Sequence, residues 1–194
     1  MSVLVIGLLL FFAAHLVPTR ADLKRQFSER LGVAGYKIAF STVSLVGLAL
    51  IVVGFGEVRT GSDWNPQLWI PPVWARHLAF ALMLPAFVLL VAAYVPSRIR
   101  SAIRHPMLAA VKTWAFSHLL ANGDLASLLL FGSFLAYAVY DRISLKYRAV
   151  AVPEAPVGVL NDIVVLAGGA AAYGFMLTIG HARLIGMPLL PGWA

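Results

Sequence analysis

Residues 36–55 read YKIAFSTVSLVGLALIVVGF. After Lys37 no position in this stretch is charged, and at about 1.5 Å of rise per residue the stretch makes roughly 30 Å of helix, the hydrocarbon thickness of a bilayer. Working outward, five more apolar stretches lie at about 2–17, 74–95, 106–121, 125–142 and 159–181, separated by polar or proline-containing breaks. Strands of alternating polarity that could close a barrel are absent, and a backbone in lipid must satisfy its own hydrogen bonds, so the stretches read as helices. The expectation is one all-α integral membrane domain over residues 1–194, a bundle of about six transmembrane helices. Composition agrees. With 194 residues, 61% hydrophobic and 12% charged, and a mean hydropathy of +0.87, a soluble fold is excluded and nothing is left over for a separate aqueous domain. The first stretch lacks a charged leading region and a small-residue cleavage site, so it reads as a retained helix rather than a signal peptide.

The net charge of +7 would suggest nucleic acid in a soluble chain, but here the cations sit in short loops beside apolar spans, and they set topology instead. Arg20, Lys24, Arg25, Arg30 and Lys37 belong to the first loop and its flank, Arg98, Arg100 and Arg104 to the third, and Arg142, Lys146 and Arg148 to the fifth. The opposite side carries only Arg59, Arg76 and Arg183, with Lys112 inside the fourth stretch. The positive-inside rule therefore predicts both termini outside. Trp64, Trp69, Trp74 and Trp193 mark the outer boundary and Tyr36, Tyr94 and Tyr140 the inner one, as aromatic belts do.

Leu23, Phe27 and Leu31 recur at i, i+4 and i+8 among cations, the pattern of a helix lying on an anionic inner surface; a solvated connector is the plainer alternative. The loop from Glu57 to Pro72 holds Pro66, Pro71, Pro72 and Gly61 and is expected to be irregular. Gly168, Gly169, Ala170, Ala171, Ala172 and Gly174 offer the sixth stretch a small-residue packing face.

Ionisable groups are costly in lipid, about 2.5–3.5 kcal/mol at the bilayer centre on insertion scales, so function is sought among the few present. These are His15, His77, His105, Lys112, His118, Asp141, Asp162 and His181, and all five histidines lie within or at the end of an apolar stretch. A neutral imidazole can also simply stitch two helices together through a carbonyl or hydroxyl. His105 and His118 are 13 positions apart on one helix, about 220° round, and cannot share a ligand. Trp114, one turn before His118, could wall a flat pocket or be ordinary core. Asp141 and Asp162 are the expected ion-pair partners of Lys112. With no cysteine, thiolate ligation, disulfides and covalent c-type haem are excluded. His-x-x-x-His spacing is missing, which argues against a helix-borne zinc site.

The run IRHPML at 103–108, KTW at 112–114 and SHLLANGD at 117–124, followed by LFGSF at 130–134 and Asp141-Arg142, resembles the NnrU family. FFAAH at 11–15, the Gly32-to-Tyr36 entry to the second stretch and LWIPPVW at 68–74 extend the resemblance over about residues 1–148. It implies a multi-pass protein of the bacterial inner (cytoplasmic) membrane, linked with nitric oxide and nitrite metabolism and related to 15-cis-zeta-carotene isomerase. That isomerase branch is understood to hold haem b between histidines. Carried over, the axial ligands are His15 and His118. The cysteine the isomerase branch has three residues before its second histidine is Ala115 here, so a ligand switch through sulfur is absent.

Counting from the outer boundary, His15 is about 14 residues deep and His118 about three, a gap of roughly 16 Å for upright helices. Helix tilt or a sunken 122–124 turn closes part of it; otherwise His77 with His118 is the better pair on depth. Arg104-His105-Pro106 also resembles the cofactor-binding end of isoprenylcysteine-type membrane methyltransferases, which implies S-adenosylmethionine, although the aromatic and acidic residues expected after the His-Pro pair are missing. The third possibility is a non-catalytic transporter or assembly factor with Lys112 and the aspartates as an ion path. No residue pattern selects among a polyene, a quinone and a small gas as the lipophilic substrate.

Overall fold

The computed structural model describes residues 1–61, 64–148, 154 and 158–190, and among them every regular element is helical. The α-helices are α1 (Ser2–Leu16), α2 (Ala21–Arg59), α3 (Val73–Ala92), α4 (Arg98–Ile103), α5 (Pro106–Ala121), α6 (Leu125–Ser144), α7 (Leu160–Phe175) and α8 (His181–Ile185). Five helical stretches are long and apolar enough to cross a membrane: Ser2–Thr19, Ala21–Arg59, Val73–Ala92, Leu125–Ser144 and Leu160–Ile185. The sixth expected span is α5, whose 16 residues make about 24 Å. Proline opens it, and the Gly123-Asp124 turn closes it, because Asp124 already caps α6 by accepting from the Ser127 N–H at 2.9 Å. Trp193, assigned above to the outer boundary, lies outside the described residues.

Two compact units are formed, Met1–Ile70 with Asn122–Ala149, and Pro71–Ala121 with Val150–Ala194. In the first, α1 and α2 run antiparallel on a seam of glycines. A Cβ at Gly7 would fall 2.6 Å from the Ile51 nitrogen, one at Gly47 would fall 2.7 Å from the Phe11 nitrogen, and one at Gly54 would overlap the Leu4 backbone. In lipid no hydrophobic force draws helices together, so this backbone-to-backbone approach supplies the attraction through dispersion contacts. α6 runs parallel to α1, with Phe134 against Phe11 and Phe12, at ring distances of 5.3 and 5.0 Å.

The two ends of this unit differ chemically. At one, the Val17–Thr19 turn meets the end of α6: the Arg148 guanidinium donates to the Pro18 carbonyl at 3.0 Å, to Ser144 Oγ at 2.9 Å and to the Asp141 carboxylate. The first-loop cations and Arg142, Lys146 and Arg148 thus gather at one end, as the charge count requires. At the other, residues 65–69 clamp the turn before α6: Leu68 and Trp69 N–H groups donate to the Gly123 carbonyl at 2.7 and 3.1 Å, and Asn65 Nδ2 donates to Asp124 at 3.0 Å. Gly123 is required there because a Cβ would overlap the Trp69 carbonyl oxygen.

In the second unit α3 packs against α5 and α7. Ala75, Ala79 and Ala86 of α3 are buried, as are Ala110 and Ala115 of α5. α7 approaches α3 at Gly169, where a Cβ would lie 2.5 Å from the Val88 Cα. The buried stripe of α7 is Asp162, Val165 and Gly169. The expected small-residue face is narrowed to Gly169 and its neighbour Gly168, where a Cβ would lie 3.5 Å from a Val91 methyl: Ala170 and Ala171 are exposed, and nothing lies within 4 Å of a Cβ at Gly174. Helical phase decides it, since positions 3 and 7 apart share a face and neighbours in sequence do not. After Phe175 the helix widens into a π turn, Met176–Gly180, and continues as α8.

Candidate functional site

His15 ends α1 in the first unit; His77, Arg104, His105, Trp114 and His118 belong to the second.

Around His15 the helices assemble an aromatic cluster. Phe11, one turn earlier, stacks on the imidazole with centroids 4.0 Å apart and planes at 23°. Phe40 of α2 lies at 5.1 Å and Tyr137 of α6 stands edge-on at 5.9 Å. The Tyr137 hydroxyl donates to the His15 carbonyl at 3.1 Å, satisfying an acceptor left over at the end of α1. His15 Nδ1 sits 2.8 Å from the Phe11 carbonyl oxygen. A carbonyl only accepts, so Nδ1 carries the proton, and in the neutral ring the lone pair is on Nε2. A backbone carbonyl fixing one imidazole nitrogen while the other presents its lone pair is the arrangement found behind histidine ligands to metals.

His118 repeats this one turn before the end of α5. Its Nδ1 donates to the Trp114 carbonyl at 2.8 Å, and the Trp114 ring lies 5.3 Å away at 53°. His181, just after the π turn, donates from Nδ1 to the Met187 carbonyl at 2.7 Å. His77 projects an exposed side chain from the second turn of α3. His105 precedes Pro106, and its carbonyl accepts from Ala109 N–H at 3.1 Å. Arg104 is exposed and closes α4 with a φ of 67°, the one positive φ outside glycine among the described residues. Among those residues no group of three or more His, Cys, Asp or Glu could hold a metal ion.

The expected Lys112 ion pairs are corrected. Asp162 is taken by Arg98, whose Nε donates to Oδ2 at 2.6 Å, and by the Ile99 N–H at 3.2 Å. Asp141 is taken by Arg148. Arginine prevails because its fork reaches a carboxylate and a carbonyl or hydroxyl together, as Arg148 does, whereas an ammonium is a point charge. Beyond FFAAH the sequence carries no sign of the aromatic cluster around His15. The four-residue spacing of Phe11 and His15 was a local signal, but no pattern announces that Phe40 and Tyr137 arrive from other helices.

Helices of this length and polarity, with histidines held this way at helix ends, define an all-α membrane protein. The chain belongs to the NnrU family: the family model described as NnrU protein matches residues 3–189. The match carries the resemblance past residue 148 and through α7. No curated protein and no solved structure matches.

Proposed function

We propose that this is a haem b protein of the bacterial inner membrane, with both termini outside, a redox role connected with nitric oxide metabolism, and His15 of the first unit and His118 of the second each equipped as an iron ligand. The observation that carries it is the Nδ1-to-carbonyl bond at each of these imidazoles, 2.8 Å in both, which directs the lone pair to Nε2, the nitrogen a haem iron would take. The donor set fits the group, since haem asks the protein for only one or two imidazoles, a bulky aromatic wall and little water. Phe11, Phe40 and Tyr137 supply such a wall at His15, and Trp114 at His118. Bound haem would supply one-electron chemistry at a potential set by its axial ligands and burial. The chain's part is to hold each ring in one tautomer and orientation. The family's relation to the carotene isomerase makes an isomerase-like role the nearest variant; Ala115, fully buried at the position of that branch's cysteine, favours electron or gas chemistry over a sulfur-switched isomerisation.

Protein purified from haem-replete cells is expected to show a Soret band that shifts on dithionite reduction and is lost in His118→Ala and His15→Ala variants that still run as folded monodisperse species. Colourless protein overturns the reading.

A second reading rests on the strained Arg104, since sparsely populated backbone conformations collect at functional sites. It is a methyltransferase-like enzyme binding S-adenosylmethionine at Arg104-His105-Pro106. Calorimetry in detergent with S-adenosylmethionine tests it, and absence of binding removes it.

A further inference from the structure

α2 is two helices joined at Gly32, whose φ of 72° and ψ of 160° lie in a region open in practice only to glycine. Before the joint, residues 21–31 are exposed except for the half-buried Ser28, and the apolar members are exposed too: Leu23 at 36%, Phe27 at 41% and Leu31 at 51%. At about 100° per residue, these three fall within an arc of roughly 80°. Arg30 lies about 20° outside the arc on one side and Lys24 about 20° outside on the other. Both acids are on the far face, where Arg25 holds Asp22 at 3.2 Å and Glu29 at 3.9 Å. Among the described residues neither Lys24 nor Arg30 has an acidic partner, so the apolar stripe is flanked by unneutralised cations. Both ends of the segment run into membrane spans, Ser2–Thr19 before it and the remainder of α2 after it, so it is held at the boundary of the bilayer.

We propose that residues 21–31 lie in the headgroup layer of an anionic leaflet, with Leu23, Phe27 and Leu31 in the acyl boundary, Lys24 and Arg30 on lipid phosphates, and Gly32 as the joint that turns the chain from the surface into the span. The partner is the anionic lipid surface, because a second protein would have to match a narrow stripe edged with uncompensated positive charge, whereas anionic lipid offers both chemistries at once. This is independent of haem.

The chain contains no cysteine, so a single introduced thiol can be spin-labelled in the full-length protein. Phe27→Cys and Glu29→Cys are labelled, reconstituted into phosphatidylglycerol-containing or purely phosphatidylcholine vesicles, and probed by collision with oxygen and with a water-soluble nickel chelate. With phosphatidylglycerol the label at 27 is expected to favour oxygen and the label at 29 nickel, and the contrast should shrink in phosphatidylcholine. Gly32→Ala should also reduce it, by straightening the joint; nothing lies within 4 Å of the added methyl, so only the backbone is tested. Should that variant not fold, Lys24→Gln with Arg30→Gln is expected to abolish the lipid dependence. Nickel access at both positions would make the segment a solvated connector. Protection from both reagents would mean a protein partner, and equal embedding in both vesicles would remove the anionic surface. Each of these overturns the proposal.

Discussion

The two units solve the same packing problem differently. In the first, α1 and α2 meet at three glycines, Gly7, Gly47 and Gly54, each with backbone where its Cβ would stand; in the second, α7 makes such an approach to α3 at Gly169 alone, and buried alanines occupy α3 and α5. Their ion pairs differ in parallel. Both carboxylates are withdrawn from water, Asp141 at 16% and Asp162 at 12% side-chain exposure, but Arg148 is withdrawn with its partner at 23% while Arg98 stays 55% exposed. Two helices in lipid gain from contact only as far as their backbones can approach, and a carboxylate at the bilayer boundary needs a cation whose value rises as water is withdrawn. The first unit commits more to both effects.

The largest expected effect breaks the seam. Gly47→Leu should destabilise the first unit by about 3 kcal/mol or more, since the Phe11 backbone cannot yield as a side chain can. Gly174→Leu, on open surface, should leave the melting temperature in detergent unchanged. Equal melting of the two variants would mean that the seam carries no special weight.

Next comes the pair of arginines. Arg148→Met leaves the Asp141 carboxylate, largely withdrawn from water, without its cation and should cost about 3 kcal/mol. Arg98→Met should cost less, because the pair is weakened by water around the mostly exposed Arg98 and Asp162 keeps the Ile99 N–H as a donor. Thermal unfolding followed by intrinsic fluorescence ranks them, and the reverse order contradicts the comparison.

The smallest effect is at Asp124. Burial pushes its carboxyl up, but the hydrogen bonds from Asn65, Ser127 Oγ and the Ser127 N–H together outweigh this and hold it below the ordinary aspartate value. With the folded value depressed, its contribution is fully present above the unfolded value of about 3.9 and is lost as pH falls through the folded one. Amide exchange at Ser127 and Leu68, corrected for intrinsic rates, should therefore be flat from pH 7 to about 4 and loosen only below it. Asp124→Asn keeps a cap but loses the charge-assisted hydrogen bonds, so it should lose about 1 kcal/mol at neutral pH and show no acid step. Loosening already at pH 6 would contradict the assignment.

Much of this was legible beforehand. The apolar stretches, the loop cations, Pro106 as a helix start and Asp124 as a cap each follow from a few neighbouring residues. The Gly32 joint was visible as the entry to the second span, though its conformation was not. The pairing of Lys112 with the aspartates was misjudged, because distance along the chain and depth in the bilayer do not say which cation turns toward a carboxylate. Phase keeps only Gly168 and Gly169 of the expected α7 face against α3, and the α1–α2 seam has no local sign because Gly7 matters only once Gly47 and Ile51 stand opposite.

The residue order by itself determined that the chain enters a membrane, where its apolar spans lie, and which end of the first unit gathers positive charge, for transfer into lipid and helix capping are settled residue by residue and within single turns. The tertiary structure alone decided which glycines touch backbone, which arginine holds which carboxylate, and which rings surround His15. Those outcomes depend on the rotation and approach of helices distant in sequence, and nearly uniform apolar faces leave many rotations equally plausible until close packing selects one.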